Sequence, residues 1–476
     1  MAEKRKTITE RLDALYEFDR EPVTTDKLQT GRSFAALFAG EHVAGTEFVI
    51  GAMFVLHGVK ATDLVFGLLI GNILAVLSWT FICAPIAVRI RLTLYWYLRR
   101  IGGPGVTFIY NIANAFLYCI LAGAMISVAA TAIGLAFDVR CPGLNEVWPT
   151  GAGWVVIVLV TGGVVTALAI FGFERISQFS AVCSPWMLLV FFAAALAVLP
   201  QVGPFHSAAD LWELAKTKIW SGGAPAPGRE PLGFWHICFF AWFCNLAMHV
   251  DLSDMALFRY AKNYKSGLYT AVGVFPGHYM AWLASGVMIA AAAIVLKTPA
   301  QDISPGQMAW YAAGFSGALA VVLAGWTTAN PTMYRAGLAL QTVTPNWPRW
   351  VITLAAGTVT TVFACFPYIF MQLLNFVAIY GLILMPIGAV VFAEHWIIPR
   401  LGLQQYRAGE RGWFVSWAAV AAWALTLLAC WFLPMHLFFR WLPGWFIALG
   451  LYLLLAVVED KLRPANADAA APGVAS

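Results

Sequence analysis

The chain has 476 residues, 61% of them hydrophobic and only 11% charged, with a net charge of +5. Ordinary soluble domains carry roughly 25% charged residues, so this composition cannot clothe a water-soluble protein of such size. The basic residues are spread among connecting segments and build no nucleic-acid-binding face, and the eight cysteines include no C-x-x-C pair that would signal zinc or a redox centre.

Apolar residues fall in runs of about 20, the length that crosses a ~30 Å hydrocarbon core as a helix. Lipid cannot satisfy free backbone groups, and the alternation of a barrel strand is absent, so the runs read as an all-α polytopic membrane protein. Residues 1–32 are charged throughout, with no apolar stretch before Phe34. They read as a cytoplasmic N-terminal segment, partly an amphipathic surface helix, and not as a cleavable signal. Helices 1 to 5 are expected at 33–58, 62–88, 104–137, 152–172 and 177–200, together the first repeat, 33–200. An extracytoplasmic loop, 201–232, includes Ser221-Gly-Gly-Ala-Pro-Ala-Pro-Gly228. Helices 6 to 10 follow at 233–260, 267–297, 309–340, 349–367 and 369–398, the second repeat, 233–398. Helices 11 and 12 lie at 412–433 and 438–459, within 412–459, and 460–476 reads as a disordered cytoplasmic tail.

With the N-terminus inside, about 22 of the 29 basic residues fall on the inner side, among them Arg89, Arg91, Arg99, Arg100, Arg175, Arg259, Lys262, Arg335 and Arg400. Two cytoplasmic termini require an even number of spans, which agrees with twelve. The expected location is the cytoplasmic (inner) membrane.

Two helices are interrupted in matching places. Helix 1 contains Ala39-Gly-Glu-His-Val-Ala-Gly-Thr-Glu47, and helix 6, five spans later, contains Cys244-Asn-Leu-Ala-Met-His-Val-Asp-Leu-Ser-Asp254. Polar or glycine-interrupted stretches at corresponding points of two five-helix halves point to an inverted-repeat transporter with a midplane site. A carboxylate at that depth costs at least ~2.5 kcal/mol, so Glu41 and Glu47 call for a partner, a proton or a cavity. Glu41 is a candidate cation ligand, substrate anchor or proton carrier, or else a structural partner of a His or Arg. Pro276 and Gly277 read as a kink in helix 7, with His278 a packing residue. Phe240, Trp242 and Phe243 are candidates for stacking on a planar solute.

Several stretches are similar to the nucleobase:cation symporter family, the cytosine, purine, allantoin and hydantoin permeases. They are Gly45-Thr-Glu-Phe-Val-Ile-Gly-Ala52 in helix 1, Phe258-Arg-Tyr-Ala-Lys262 after helix 6, and Trp326-Thr-Thr-Ala-Asn-Pro-Thr-Met-Tyr-Arg-Ala-Gly-Leu338 in helix 8. Leu374-Asn-Phe, Pro386 and Ala393-Glu-His-Trp396 in helix 10 complete the set. The resemblance implies a leucine-transporter-type fold: a 5+5 inverted repeat plus two peripheral helices, with helices 1 and 6 discontinuous. It also implies a sodium site made by the Thr327 and Thr328 hydroxyls and the carbonyls of Ala324, Ala39 and His42. Where family members carry a Trp and a Gln in helix 3, this chain has Tyr118-Cys-Ile-Leu-Ala-Gly-Ala124, which leaves Tyr118, Asn114 and Asn111 as replacements.

The expected solute site therefore comprises Glu41, His42, Thr46, Asn114, Tyr118, Trp242, Asn245, His249 and Asn330. The implied function is cation-coupled uptake of a small polar solute by alternating access, with sodium favoured over a proton and a nucleobase or related nitrogen heterocycle as the leading substrate. An amino acid or amine is the alternative cargo. No cofactor is expected beyond the coupling ion; the expected partners are the solute and the bilayer, in a monomer or weak oligomer. A metal-dependent intramembrane enzyme built on His42, His249, Glu41 and Asp251 is the remote alternative, and no H-E-x-x-H spacing supports it. A channel would show a polar pore stripe, which is absent.

Overall fold

Helix 1 begins at Gly31, stops at His42 where Val43 leaves the helical region (φ −88°, ψ 66°), and resumes as Glu47–Leu56, bent by 47°. The break falls in the glycine-flanked polar stretch, where a continuous helix would hold Glu41 and Glu47 against lipid. The computed structural model that shows this describes residues 20–143, 146–368 and 372–462. The expectations for 1–19 and 463–476, and the first residues of helix 10 at 369–371, lie outside the described residues.

Helix 6 is likewise broken. Phe234–Phe243 is followed by Leu246–His249 and Met255–Phe258, with Leu252 between them in a left-handed conformation (φ 74°). The remaining helices are helix 2 (Ala61–Ile90), helix 3 (Leu94–Ala136), helix 4 (Ala152–Ile170), helix 5 (Phe173–Val202), helix 7 (Tyr264–Leu296), helix 8 (Pro305–Val343), helix 10 (Leu373–Leu401) and helix 12 (Trp441–Leu462), each long and apolar enough to cross a membrane, and the shorter helix 9 (Arg349–Ala364) and helix 11 (Trp417–Phe432). Their outward faces present Phe66, Phe116, Leu189, Trp431 and Leu454, apolar groups suited to lipid.

Irregularities recur in equivalent helices of the two halves, as the inverted repeat requires. Helices 1 and 6 are broken. Helices 2 and 7 each contain a π-helical stretch, Trp79–Cys83 and Phe275–Ala281. Helices 3 and 8 each start with a short segment that turns sharply, at Gly103 (φ 81°) and at Ala313 and Gly314. In helix 7 the π stretch includes Pro276, whose missing N–H and ring are the ordinary cause of such a distortion.

Packing divides the core into two blocks. Helix 2 lies along helix 6, and both halves of helix 1 lie on helix 7. Helix 3 packs along helix 8, and helix 9 packs on helices 3 and 4. The strap before helix 1 ties back to the end of helix 6, where the Gln29 N–H donates to the Tyr260 carbonyl at 2.8 Å. In the connection after helix 5, Ala208–Leu214 forms a helix closed by a Ser207/Asp210 capping box. The polar composition of 201–232 gave no sign of it.

Three of the basic residues assigned to inner loops are in fact buried, Arg407 (4% exposed) among them. Arg259 and Arg335 are both 0% exposed. Helix 8 runs on to Val343, two turns past Arg335, so that side chain points into the bundle and not toward a headgroup region. Orientation therefore rests on the other basic residues.

Candidate functional site

Freed backbone at a helix break needs close neighbours, and glycines supply them. A Cβ on Gly277 would sit 1.8 Å from the His42 carbonyl oxygen, and one on Gly273 would sit 2.1 Å from that of Phe38. Helix 7 thus presses bare backbone against the first half of helix 1, a small-xxx-small contact. On the opposite side, the break at Gly45 touches Gly325 of helix 8, where an added Cβ would lie 3.0 Å from Cα.

Helix 8 sends Arg335 into the gap between the two breaks. Its Nη1 donates to Glu41 Oε1 at 2.6 Å and Nη2 to Glu41 Oε2 at 3.1 Å; Nε and Nη2 donate to Asp254 Oδ1 at 3.0 and 2.5 Å. Trp79 Nε1 donates to the other Asp254 oxygen at 2.6 Å. A planar fork is the geometry that satisfies two carboxylates at once. One side chain therefore joins helices 1, 6 and 8, all three groups being buried. Beside it, Tyr118 places its hydroxyl 2.5 Å from that of Ser253, with the Arg335 guanidinium 6.0 Å from its ring. Tyr110 donates to Asp251 and accepts from Asn114 Nδ2 at 3.1 Å.

Between the breaks lies a cavity of about 40 Å³, lined by Glu41, Ala44, Thr46, Glu47 and Ile50 of helix 1, Leu121 and Met125 of helix 3, and Cys244, Asn245 and Met248 of helix 6. His278 of helix 7, Thr328 of helix 8, and Leu373 and Val377 of helix 10 complete it. By the same measure one water needs about 10–15 Å³ and ligand pockets run to about 300–1,000 Å³, so the cavity as it stands is too small for a solute.

The structure brings only part of the expected solute set together. Glu41, Thr46 and Asn245 line the cavity. Asn114 and Tyr118 are engaged in the helix 3–helix 6 hydrogen bonds just described. His42 stands behind the cavity wall: its Nδ1 donates to the Phe38 carbonyl at 3.0 Å, and its ring lies 4.8 Å from that of His278. His249 donates to the Trp242 carbonyl at 2.9 Å, its ring against Trp79. Asn330 is wholly buried, and among the described residues neither atom of its amide has a hydrogen-bond partner.

The aromatic expectation fails in its particulars. Trp242 turns toward helices 2 and 12, donating to Ser78 Oγ at 2.9 Å and meeting Trp441 edge-on. Phe240 packs on Phe54, Trp282 and Phe438, and Phe243 packs on Phe240 and Phe438. None of the three reaches the cavity, because helix 6 ends its first half at Phe243 and the cavity-facing residues start at Cys244.

At the helix 1/8 junction, the Thr328 hydroxyl lies 2.9 Å from the Glu41 carbonyl and 3.0 Å from that of Ala324, with Thr327 Oγ1 3.2 Å from the same Ala324 oxygen. The helix 1 carbonyls that Thr328 reaches belong to Gly40 and Glu41. The Ala39 carbonyl accepts from the Val43 N–H, and that of His42 faces Gly277. Both hydroxyls thus bond back to the Ala324 carbonyl of their own helix, and Thr328 also reaches helix 1, at Gly40 and Glu41 where Ala39 and His42 were expected. Among the described residues no three His, Cys, Asp or Glu side chains converge in metal-binding geometry, so the four-residue cluster His42, His249, Glu41 and Asp251 does not assemble.

Sequence reading singled out Glu47 without placing it in the solute set, and missed Arg335, Asp254, Cys244 and His278 as site residues. For Arg335 the signal was there, a lone arginine within an apolar helix. For His278 it was the π-forming Pro276-Gly277 pair.

The sequence matches no protein-family model and no curated protein. Solved structures do match over nearly the whole chain. Mhp1, described as a nucleobase-cation-symport-1 family transporter, in a closed conformation with bromovinylhydantoin bound, aligns with a TM-score of 0.72 at 16% identity, covering 96% of this chain and 98% of that one. The inward-facing conformation of Mhp1 gives 0.67 at 15% identity, covering 95% and 97%. A substrate-bound, outward-open Na+-coupled sialic acid symporter gives 0.62 at 10% identity, covering 95% of each chain. Identities this low show the fold, and the fold is the leucine-transporter type.

Proposed function

We propose that this chain is a cation-coupled secondary active transporter that moves a small nitrogen-containing polar solute by alternating access. The observation that carries the reading is the cavity between the helix 1 and helix 6 breaks, with the Thr328 hydroxyl and freed helix 1 carbonyls at its edge. Half-helix ends and unwound carbonyls at the midplane are what this class of transporter uses to hold solute and ion. The closed cavity must enlarge to admit a solute, and opening toward one face at a time is transport.

Sodium is the proposed coupling ion, held by Thr327, Thr328, the Ala324 carbonyl and helix 1 carbonyls. A nucleobase or related heterocycle is the proposed cargo, in line with the hydantoin ligand named for Mhp1. On this reading the protein works in the cytoplasmic membrane with both termini inside, as a monomer or weak oligomer.

Heat denaturation of the detergent-purified protein tests the ion site. Sodium at 100 times its dissociation constant adds about 2.7 kcal/mol to the folded state, raising the unfolding temperature above that in choline or potassium. Thr328→Ala abolishes the sodium-specific rise while leaving the potassium baseline within about 1 kcal/mol, the usual worth of one hydrogen bond. A sodium-specific rise that survives in the variant rules the site out.

A further inference from the structure

Two carboxylates line the cavity, and only one is answered. Glu41 is neutralised by the Arg335 fork. Glu47 opens the second half of helix 1, is 2% exposed, and has one oxygen, Oε2, with no hydrogen-bond partner among the described residues. Its nearest titratable neighbour is His278 of helix 7, whose Nε2 is 3.7 Å from Oε1, too long for a hydrogen bond. That imidazole is stacked flat on Trp282 and has Cys244 Sγ and Asn245 Nδ2 of helix 6 each at 3.5 Å. From helix 8 the cavity receives the uncharged Thr328, and from helices 3 and 10 only apolar side chains; no Lys or Arg is among its described lining residues. A carboxylate held this way in low dielectric is costly unless it takes up a proton or something entering the cavity supplies the opposite charge. The cavity that Glu47 lines and its unpartnered oxygen favour the second.

We infer that Glu47 anchors a positively charged nitrogen on the transported solute, so that the substrate class is a small amine, amidine or guanidine. The inference rests on the transporter reading above, in which this cavity is the solute site, and replaces the nucleobase proposed there with a cationic solute. Met125 and Met248 beside Glu47 offer polarizable, adaptable walls for the carbon body of such a solute. The free oxygen of Glu47 accepts the N–H groups.

The test uses matched pairs that differ in charge and little in shape: benzamidine against benzamide, and piperidine against tetrahydropyran. Each is added to the detergent-purified full chain in sodium buffer while the unfolding temperature is followed. The charged member of each pair raises the unfolding temperature and the uncharged member does not. Glu47→Gln weakens apparent affinity for the charged member about 30-fold or more, the effect of removing one partner from a buried charge pair. Glu47→Asp, which keeps the charge, preserves the preference and covers the case in which the amide does not fold.

Equal binding of charged and uncharged members overturns the inference, and so does a charge preference that persists in Glu47→Gln. A rise produced by acid alone, present in the wild type and absent in Glu47→Gln, with no response to any charged member, also overturns it by assigning the carboxylate to a proton. Failure here is separable from failure of the coupling reading. The sodium-specific rise and its loss in Thr328→Ala concern another part of the cavity, and either result can stand without the other.

Discussion

Arg335 is the residue on which most of the core's electrostatics turns. It compensates Glu41 and Asp254 together, with no exposure of any of the three to solvent beyond 4%. Removing one member of a buried ionic set costs about 3–5 kcal/mol, because the others remain buried without their partner. Arg335→Met should therefore lower the unfolding temperature steeply or prevent folding. Arg335→Lys should fold yet melt below the wild type, since an ammonium cannot serve both carboxylates in the fork geometry. Equal melting of Arg335→Lys and wild type, followed by tryptophan fluorescence, would remove the fork from the account. The sequence made Glu41 conspicuous, because a carboxylate beside glycines in an apolar run calls for a partner, and the Arg among the alternatives is the one the structure supplies. It did not reveal Arg335, because an arginine near the expected end of helix 8 reads equally well as a snorkelling side chain. Only the helix's continuation to Val343 decides between the two.

At the scale of single helices, the interruptions were legible and the contacts were not. A glycine-flanked ionisable stretch in helix 1 and a polar, ionisable stretch in helix 6 marked both breaks within a few residues. Trp242 and Phe240 were misplaced because aromatic character says nothing about which way a helix is rotated, and the first half of helix 6 spends its aromatic face on helices 2, 7 and 12. Gly277 is similar: beside Pro276 it reads as part of a kink, whereas its main contact is with the His42 carbonyl. Gly277→Ala forces a methyl into that oxygen. The expected loss is about 1–3 kcal/mol, the usual cost of overpacking, visible as a lower unfolding temperature. An unchanged temperature would mean that helices 1 and 7 separate at no cost.

For the molecule as a whole, the two packing blocks suggest the moving parts. Helices 1, 2, 6 and 7 form one block, and helices 3, 4, 8 and 9 the other. The Arg335 ion pairs cross between them, from helix 8 to Glu41 on helix 1 and Asp254 on helix 6. Rocking one block against the other must stretch those pairs, so they hold the closed form. Asp254→Asn should weaken the latch and raise hydrogen exchange in the first half of helix 1 and in the short segments of helix 6, while helices 3 and 8 stay protected. Exchange that rises equally everywhere would indicate global loosening and no latch. The all-α membrane character and the two helix breaks were readable from hydropathy and charge. The latch was not, since it depends on three residues about 80 to 290 positions apart meeting in space.

The central claim is that this fold carries out ion-driven transport. Its most direct test is uptake into proteoliposomes of whichever panel compound raises the unfolding temperature, under an inward sodium gradient and then with sodium equal on both sides. Accumulation above equilibrium that needs the gradient and vanishes in Thr328→Ala is the predicted result. Equilibration without accumulation, at the same rate with and without the gradient, would contradict the coupling on which the account rests.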